Sequence, residues 1–268
     1  MSTLLQISDP HFGTEQEPVV NALIELAAQL EPDIVVLSGD ITQRARRTQF
    51  RAAREFVDRL KTPTVAVPGN HDIPLFNVAA RAFAPYGNYM RAFGADLEPV
   101  FESSAFLVVC TNTTRPRRHK DGEISREQIE RVSERLGRAS REQLRIVVTH
   151  QPVLVIRSED EANLLHGHEA AVHAWAEAGA DVVMGGHIHL PYIRSIRDRF
   201  VDLPRRVWAV QAGTATSWRI RGDVANSVNV LRHVPGDLVF GAERWDFEAR
   251  SNAFRCIDAE VLALDRKD

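Results

Sequence analysis

Cysteine is scarce in this 268-residue chain: Cys110 and Cys256 are its only two. That is too few for a disulfide framework or a thiolate-based metal site. Long apolar runs are missing as well, and no stretch approaches the roughly 18 residues of a spanning helix. The opening Met1-Ser2-Thr3-Leu4-Leu5-Gln6 carries neither a basic region nor a cleavage-like site, so a cytoplasmic protein without a membrane partner is expected. Nor is there an excess of charge of either sign. A formal net charge of −3 gives no strong nucleic-acid signal. Repeats, low-complexity segments and linkers are also lacking, which leads to a single domain over residues 1–268. With 44% hydrophobic and 26% charged residues the chain has the composition of an ordinary globular protein. At this length a domain buries roughly three quarters of its unfolded surface. What the chain does have is histidine, ten in all, several placed just behind apolar runs.

The order of apolar runs predicts alternating strands and helices. Leu4 to Ser8 reads as a buried strand ending in Asp9-Pro10-His11. Pro18 suits the first turn of a helix whose apolar face is Val19, Leu23, Leu26, Ala27 and Leu30. Asp33 to Leu37 is a second strand, closed by Ser38-Gly39-Asp40. A helix marked by Phe50, Ala53, Phe56, Val57 and Leu60 then leads to a third strand, Thr64 to Val67, and to Gly69-Asn70-His71-Asp72. Residues 73–100 read as a cap-like insertion of short helices. Strands follow at Ala105 to Cys110, Arg145 to Thr149 and Asp181 to Met184, with helices after a Ser125/Gln128 capping box and around Ala170 to Ala178. The last two of these strands run into His150 and into Gly185-Gly186-His187-Ile188-His189. Beyond Leu190, short β-type runs separated by turn residues predict an antiparallel part, residues 190–264, that completes a second sheet or builds a homodimer interface. The class is α/β, with helices covering a sheet.

Polar groups of one chemical kind therefore recur behind five strands: Asp9 and His11; Asp40; Asn70 and His71; His150; His187 and His189. Taken singly, each is as well explained by a polar turn or a satisfied histidine. Together they are not, because ligands in layered α/β folds bind outside the carboxyl ends of strands. Imidazole, carboxylate and amide donors without thiolate suit Mn, Fe or Zn.

The series Asp-x-His, Gly-Asp, Gly-Asn-His-Asp, His, Gly-His-x-His, running from Asp9 to His189, resembles the calcineurin-like metallophosphoesterase superfamily. Ile7-Ser8-Asp9, Ser38-Gly39-Asp40-Ile41-Thr42 and Pro68-Gly69-Asn70-His71-Asp72-Ile73 are most similar to its bacterial class III cyclic-nucleotide phosphodiesterases. The resemblance implies a four-layer αββα sandwich of two mixed β-sheets flanked by helices, with a two-metal site at the strand C-terminal ends. It also implies one divalent or trivalent ion held by Asp9, His11, Asp40 and His189, and another by Asp40, Asn70, His150 and His187. His71 would serve the phosphoryl group or the leaving group, supported by Asp72. The implied reaction is in-line hydrolysis of a small phosphate ester, a cyclic nucleotide or other diester, by water activated between the ions. A phosphomonoesterase or pyrophosphate-cleaving hydrolase is the alternative, and a non-catalytic scaffold the remote one. Pro10 departs from the Thr common in that branch, at a position that is not a ligand. Gly39-Asp40-Ile41-Thr42-Gln43-Arg44-Ala45 departs from the Gly-Asp-x-Val-Asp-Arg-Gly of the protein phosphatases, which argues against that role.

Two further groups stand out. The basic loop Arg115 to Lys120 either reaches the site and attracts an anionic substrate or is a solvated surface loop. His166, His168 and His173 form a second histidine group with no counterpart in the superfamily pattern, of which His166 is the best placed to meet a substrate.

Overall fold

The computed structural model describes residues 1–266, so the last two residues of the expected 1–268 span lie outside it. Period-two alternation along the strands sets the architecture. In β1 (Ser2–Ile7) and β2 (Ile34–Ser38), Leu5, Ile7, Val35 and Leu37 face one way, while Leu4, Ile34 and Val36 face the other. The first set packs under α1 (Glu17–Leu30) and α2 (Arg47–Leu60), whose apolar stripes include Val19, Leu23, Phe50 and Phe56. β3 (Thr64–Val67) continues the parallel order β1-β2-β3.

After α3 (Val78–Phe83) and α4 (Gly87–Phe93), the second sheet begins with β4 (Val100–Glu102) and β5 (Phe106–Cys110). It continues through α5 (Arg126–Gly137), β6 (Leu144–Val148), α6 (His168–Ala178) and β7 (Val182–Gly185), with β5, β6 and β7 parallel. Its inner residues Phe106, Val108, Ile146, Val148 and Met184 meet Leu4, Ile34 and Val36 of the first sheet. Its outer residues Leu107, Val109, Val147 and Val183 meet α5 and α6, including Val132, Leu136 and the fully buried Trp175. Three apolar cores thus separate four layers, the αββα sandwich that the sequence implies.

The C-terminal strands correct one expectation. Residues 190–264 do not complete a single second sheet; they divide between the two. β8 (Tyr192–Ser195) and β9 (Trp208–Gln211) extend the second sheet, β9 running parallel to β7. β10 (Ser227–His233) crosses over and pairs antiparallel with β1, followed by the hairpin of β11 (Val239–Glu248) and β12 (Ala253–Ala263). The physical reason is that β1 lies mid-core and its free edge needs a partner that is apolar on both faces. β10 is such a strand: Val228 and Val230 face the helices and Leu231 faces the other sheet.

The segment 73–100 is only partly cap-like. Tyr89 of α4 is buried against Phe50 of α2 and donates to the Ala66 carbonyl at 2.8 Å, so α4 belongs to the outer helical layer. Ile73, Leu75 and Arg81, before and within α3, are the part that borders Asn70 and His71.

Candidate metal centre

All five polar strand ends lie at one edge of the sandwich, where the two sheets meet. A rib of buried polar side chains fixes that edge: Gln6 Nε2 donates to Ser38 Oγ (3.0 Å) and to the Gly185 carbonyl (3.1 Å), and Asn229 Nδ2 donates to Gln6 Oε1 (2.8 Å). Gly39 turns the chain after β2 at a φ of 99°, a conformation that L side chains avoid. Gly69 approaches so closely that a Cβ there would strike the backbone nitrogen of Asp40. The turn Asn70–Asp72 follows directly.

The turns are strained. Asp9, His11, Asp40, His187 and His189 all have φ between 46° and 73°. Non-glycine residues rarely adopt this region, and it persists only where surroundings over-determine it. Here they do. Thr214 Oγ1 donates to the Asp9 carbonyl and Thr216 Oγ1 to the Pro10 carbonyl, at 2.6 and 3.0 Å. The His187 amide donates to Asp9 Oδ2 at 3.0 Å.

Two groups of donors result. Asp9, His11 and His189 form one, and Asp40, His150 and His187 the other. In the first, His11 Nε2 lies 3.1 Å from His189 Nε2, and His189 Nε2 lies 3.3 Å from Asp9 Oδ1. In the second, His150 Nε2 lies 3.3 Å from Asp40 Oδ1 and 3.2 Å from Asn70 Oδ1. The other oxygen of Asp40, Oδ2, lies 3.8 Å from His11 Nε2, so one carboxylate faces both groups.

The donor set fits two cations. His189 Nδ1 is 2.7 Å from the Arg219 carbonyl and His150 Nδ1 is 3.0 Å from the Ser38 carbonyl. Carbonyls only accept, so these nitrogens carry the protons and each Nε2 points inward, where it can serve a cation. At His150 that nitrogen meets two acceptors, Asp40 Oδ1 and Asn70 Oδ1, a convergence that a shared proton or a metal ion relieves. Burial pushes His11 and His187 down to about 3, so they are neutral donors. Burial would also depress His150, but the Asp40 carboxylate lifts it to about 9, so the site favours positive charge at this ring. For Asp9 burial acts upward, yet the His189 hydrogen bond and the neighbouring histidine charges hold it near 2.

His71 and Asp72 separate in role. His71 lies edge-on to His11, ring centroids 4.9 Å apart, and borders the open cavity. Its Nδ1 is 2.9 Å from the Gln43 carbonyl, so Gln43 orients the ring, not Asp72. Asp72 is buried and accepts from the amides of Gly69, Ile41 and Thr42 and from Thr42 Oγ1, tying the turn after β3 to the turn after β2. Burial and the nearby Asp40 charge push it up to about 6 despite those donors.

The cavity over the centre measures about 610 Å³. Of the basic loop, His119 and Lys120 reach it, whereas Arg117 and Arg118 pair with Glu123. His166 is exposed, and His168 and His173 pack their rings against Phe200, at 6.0 and 5.8 Å between centroids; these three do not join the centre. The wall that sequence reasoning missed is Trp218 to Arg221. Its signal was the length of the segment between β9 and β10, fifteen residues (212–226) without a β pattern, a length more often functional than incidental.

Among the described residues no helix is long and apolar enough to cross a membrane. A family profile described as calcineurin-like phosphoesterase matches residues 2–191. A probable cyclic nucleotide phosphodiesterase of Synechococcus sp. is 26% identical over 204 residues, covering 72% of this chain and 75% of its own. A probable glycerophosphodiester phosphodiesterase of Arcobacter nitrofigilis is 23% identical over 199 residues, 69% and 71% of the two chains. Among solved structures, a purple acid phosphatase from yellow lupin seeds superposes with a TM-score of 0.72 at 16% identity, over 98% of this chain. The chain spans only 54% of that protein's length. A dimetal phosphatase from Danio rerio superposes with a TM-score of 0.68 at 12% identity, over 98% and 99% of the two chains. Both likenesses concern the fold.

Proposed function

The chain belongs to the calcineurin-like phosphoesterase family, and from that premise we propose that it is a phosphodiesterase acting on a cyclic nucleotide. The observation that carries the two-ion reading is Asp40, with Oδ2 turned to His11 at 3.8 Å and Oδ1 to His150 at 3.3 Å. One ion would be held by Asp9, His11, Asp40 and His189, and the other by Asp40, Asn70, His150 and His187. When bound, such a pair polarises phosphoryl oxygens and lowers the pKa of water toward neutrality. Asn70 supplies an oxygen without charge, so the protein neutralises less of the ions' charge than a third carboxylate would. His71, steadied by Gln43, presents Nε2 to the phosphoryl or departing oxygen. Asp72 acts from behind as a positioning residue. A single domain over residues 1–268 is part of the same proposal.

Trp218 favours the nucleotide over a glycerophosphodiester. Trp218 is 64% exposed at the cavity wall while its amide is held by the Thr14 carbonyl at 3.2 Å. An exposed aromatic side chain on an anchored main chain suits stacking of a nucleobase, worth roughly 1–3 kcal/mol. The test is a rate comparison in Mn-loaded protein on 3′,5′-cyclic AMP, glycerophosphocholine, bis-p-nitrophenyl phosphate and a phosphomonoester. Chelator-sensitive hydrolysis that is fastest on the cyclic nucleotide is expected. A Trp218→Ala change should raise KM for the nucleotide about tenfold and leave the small diester within about twofold. Cyclic AMP turned over no better than the generic diester would remove the nucleotide assignment.

A further inference from the structure

Two arginines stand two residues apart on the cavity wall, and their surroundings differ completely. Arg221 is saturated: its guanidinium pairs with Asp160 at 2.9 Å and Glu159 at 2.6 Å and also donates to the Ile188 carbonyl at 3.2 Å. Arg219 has no carboxylate within 4.0 Å among the described residues. Its Nη1 donates to Gln43 Oε1 at 3.0 Å and approaches His71 Nε2 at 3.4 Å. The Gln43 hydrogen bond therefore aims a guanidinium of five donors at the ring beside the centre and leaves most of its donors unused. The main chain beneath it is fixed, since the Arg219 amide donates to Ser217 Oγ at 3.1 Å and its carbonyl accepts from His189 Nδ1 at 2.7 Å. Arg219 also lies beyond residues 2–191, the span matched by the family profile.

The geometry points to Arg219 as a substrate-contacting residue that grips a phosphoryl oxygen from the cavity wall beside His71, an inference that rests on the phosphoesterase reading of the centre. A phosphate ester is the ligand that satisfies it. Its non-bridging oxygens are anionic, match the two-donor fork of guanidinium, and would sit between His71 and the donor groups of Asp9 and Asp40. The same residue serves two ends: its carbonyl keeps His189 Nε2 turned inward while its side chain holds the substrate. Only the second function depends on the side chain.

That separation makes the test clean. Arg219→Ala should keep the metal content and melting temperature of the wild type, because the tie to His189 is main chain. It should weaken orthophosphate binding to the Mn-loaded protein, measured calorimetrically, by about 10- to 100-fold, the value of a charged hydrogen bond. The kcat/KM on bis-p-nitrophenyl phosphate should fall by the same order, and Arg219→Lys should recover part of both losses. Orthophosphate affinity and kcat/KM within twofold of wild type in Arg219→Ala would overturn the assignment, even with the phosphodiesterase confirmed. A wild type that turns over no phosphate ester but binds orthophosphate in an Arg219-dependent way would overturn the function and the substrate contact with it, and leave Arg219 as a phosphate-binding residue alone.

Discussion

Asp40 is the residue with the least tolerance for change. Its two oxygens face different histidines, and Oδ1 also accepts from the His71 amide at 2.8 Å. Asp40→Ala should therefore remove both ions at once and lower diester turnover by at least about 10²–10³-fold, the cost of losing one preorganised electrostatic partner. Metal analysis after loading checks it: a variant that still holds two ions per chain would refute the bridging role. Asp72 is the opposite case, since it faces no cavity. Asp72→Ala leaves three amides and a hydroxyl without their acceptor, and should cost about 2–4 kcal/mol in urea unfolding. Its effect on activity should follow from loosened turns, so a lower kcat with little change in KM is expected. The candidate ligands were legible in sequence because they cluster just behind apolar runs. Gln43 and Arg219 were not, because a main-chain carbonyl that orients a ring leaves no mark on residue type.

At the scale of elements, the turns and their fastenings decide whether the site exists. Gly69→Ala would drive a methyl into the backbone of Asp40, a contact that no side-chain adjustment relieves. Farther out, Glu98 before β4 accepts from the Asn112 amide at 3.1 Å, from Arg131 at 2.8 Å and from Gln128, joining the strand-end loop 111–114 to α5. Burial would raise its carboxyl, but the Gln128 and Arg131 hydrogen bonds hold it below the ordinary 4.5. A carboxylate with a depressed folded-state pKa stabilises the fold above its unfolded pKa and loses that stabilisation as pH falls through the folded value. Glu98→Gln should thus be less stable than wild type by about 1 kcal/mol at pH 7, with the gap closing below pH 4.5. Denaturant midpoints at pH 7 and pH 3 measure it; a gap that persists at pH 3 would assign the effect to packing. The strands of the two parallel cores were readable because burial on both faces leaves an unbroken apolar run. β11 does not read as one long strand in the sequence, because Glu243, Arg244 and Asp246 place charge along it. Those charges are paired, Arg232 with Glu243 at 2.6 Å and Arg244 with Asp246 at 2.7 Å, so the strand continues. Which sheet β8 to β12 join depends on long-range pairing with β1 and β7, and no local pattern encodes that.

On the whole-molecule scale, the candidate ligands come from both halves of the sandwich. Asp9, His11, Asp40 and Asn70 follow strands of the first sheet, while His150, His187 and His189 follow strands of the second. Ions bound among them would cross-link the sheets at the same edge that Gln6, Ser38 and Asn229 already tie. The strained backbone at five ligand positions adds a cost that bound ions would offset in the native state alone. Binding to the folded state only, at a thousand times the dissociation constant, stabilises by about 4 kcal/mol. For a chain of this size that is roughly an 8–16 °C shift in melting temperature. Calorimetric scans of Mn-loaded wild type with and without chelator should show a drop of that order. The same pair of scans on Asp40→Ala should show almost none, because the carboxylate shared by the two sites is gone. A chelator shift of equal size in both proteins would place the stabilising ions elsewhere, and no shift in either would mean that the sheets are held by their apolar core and polar rib alone.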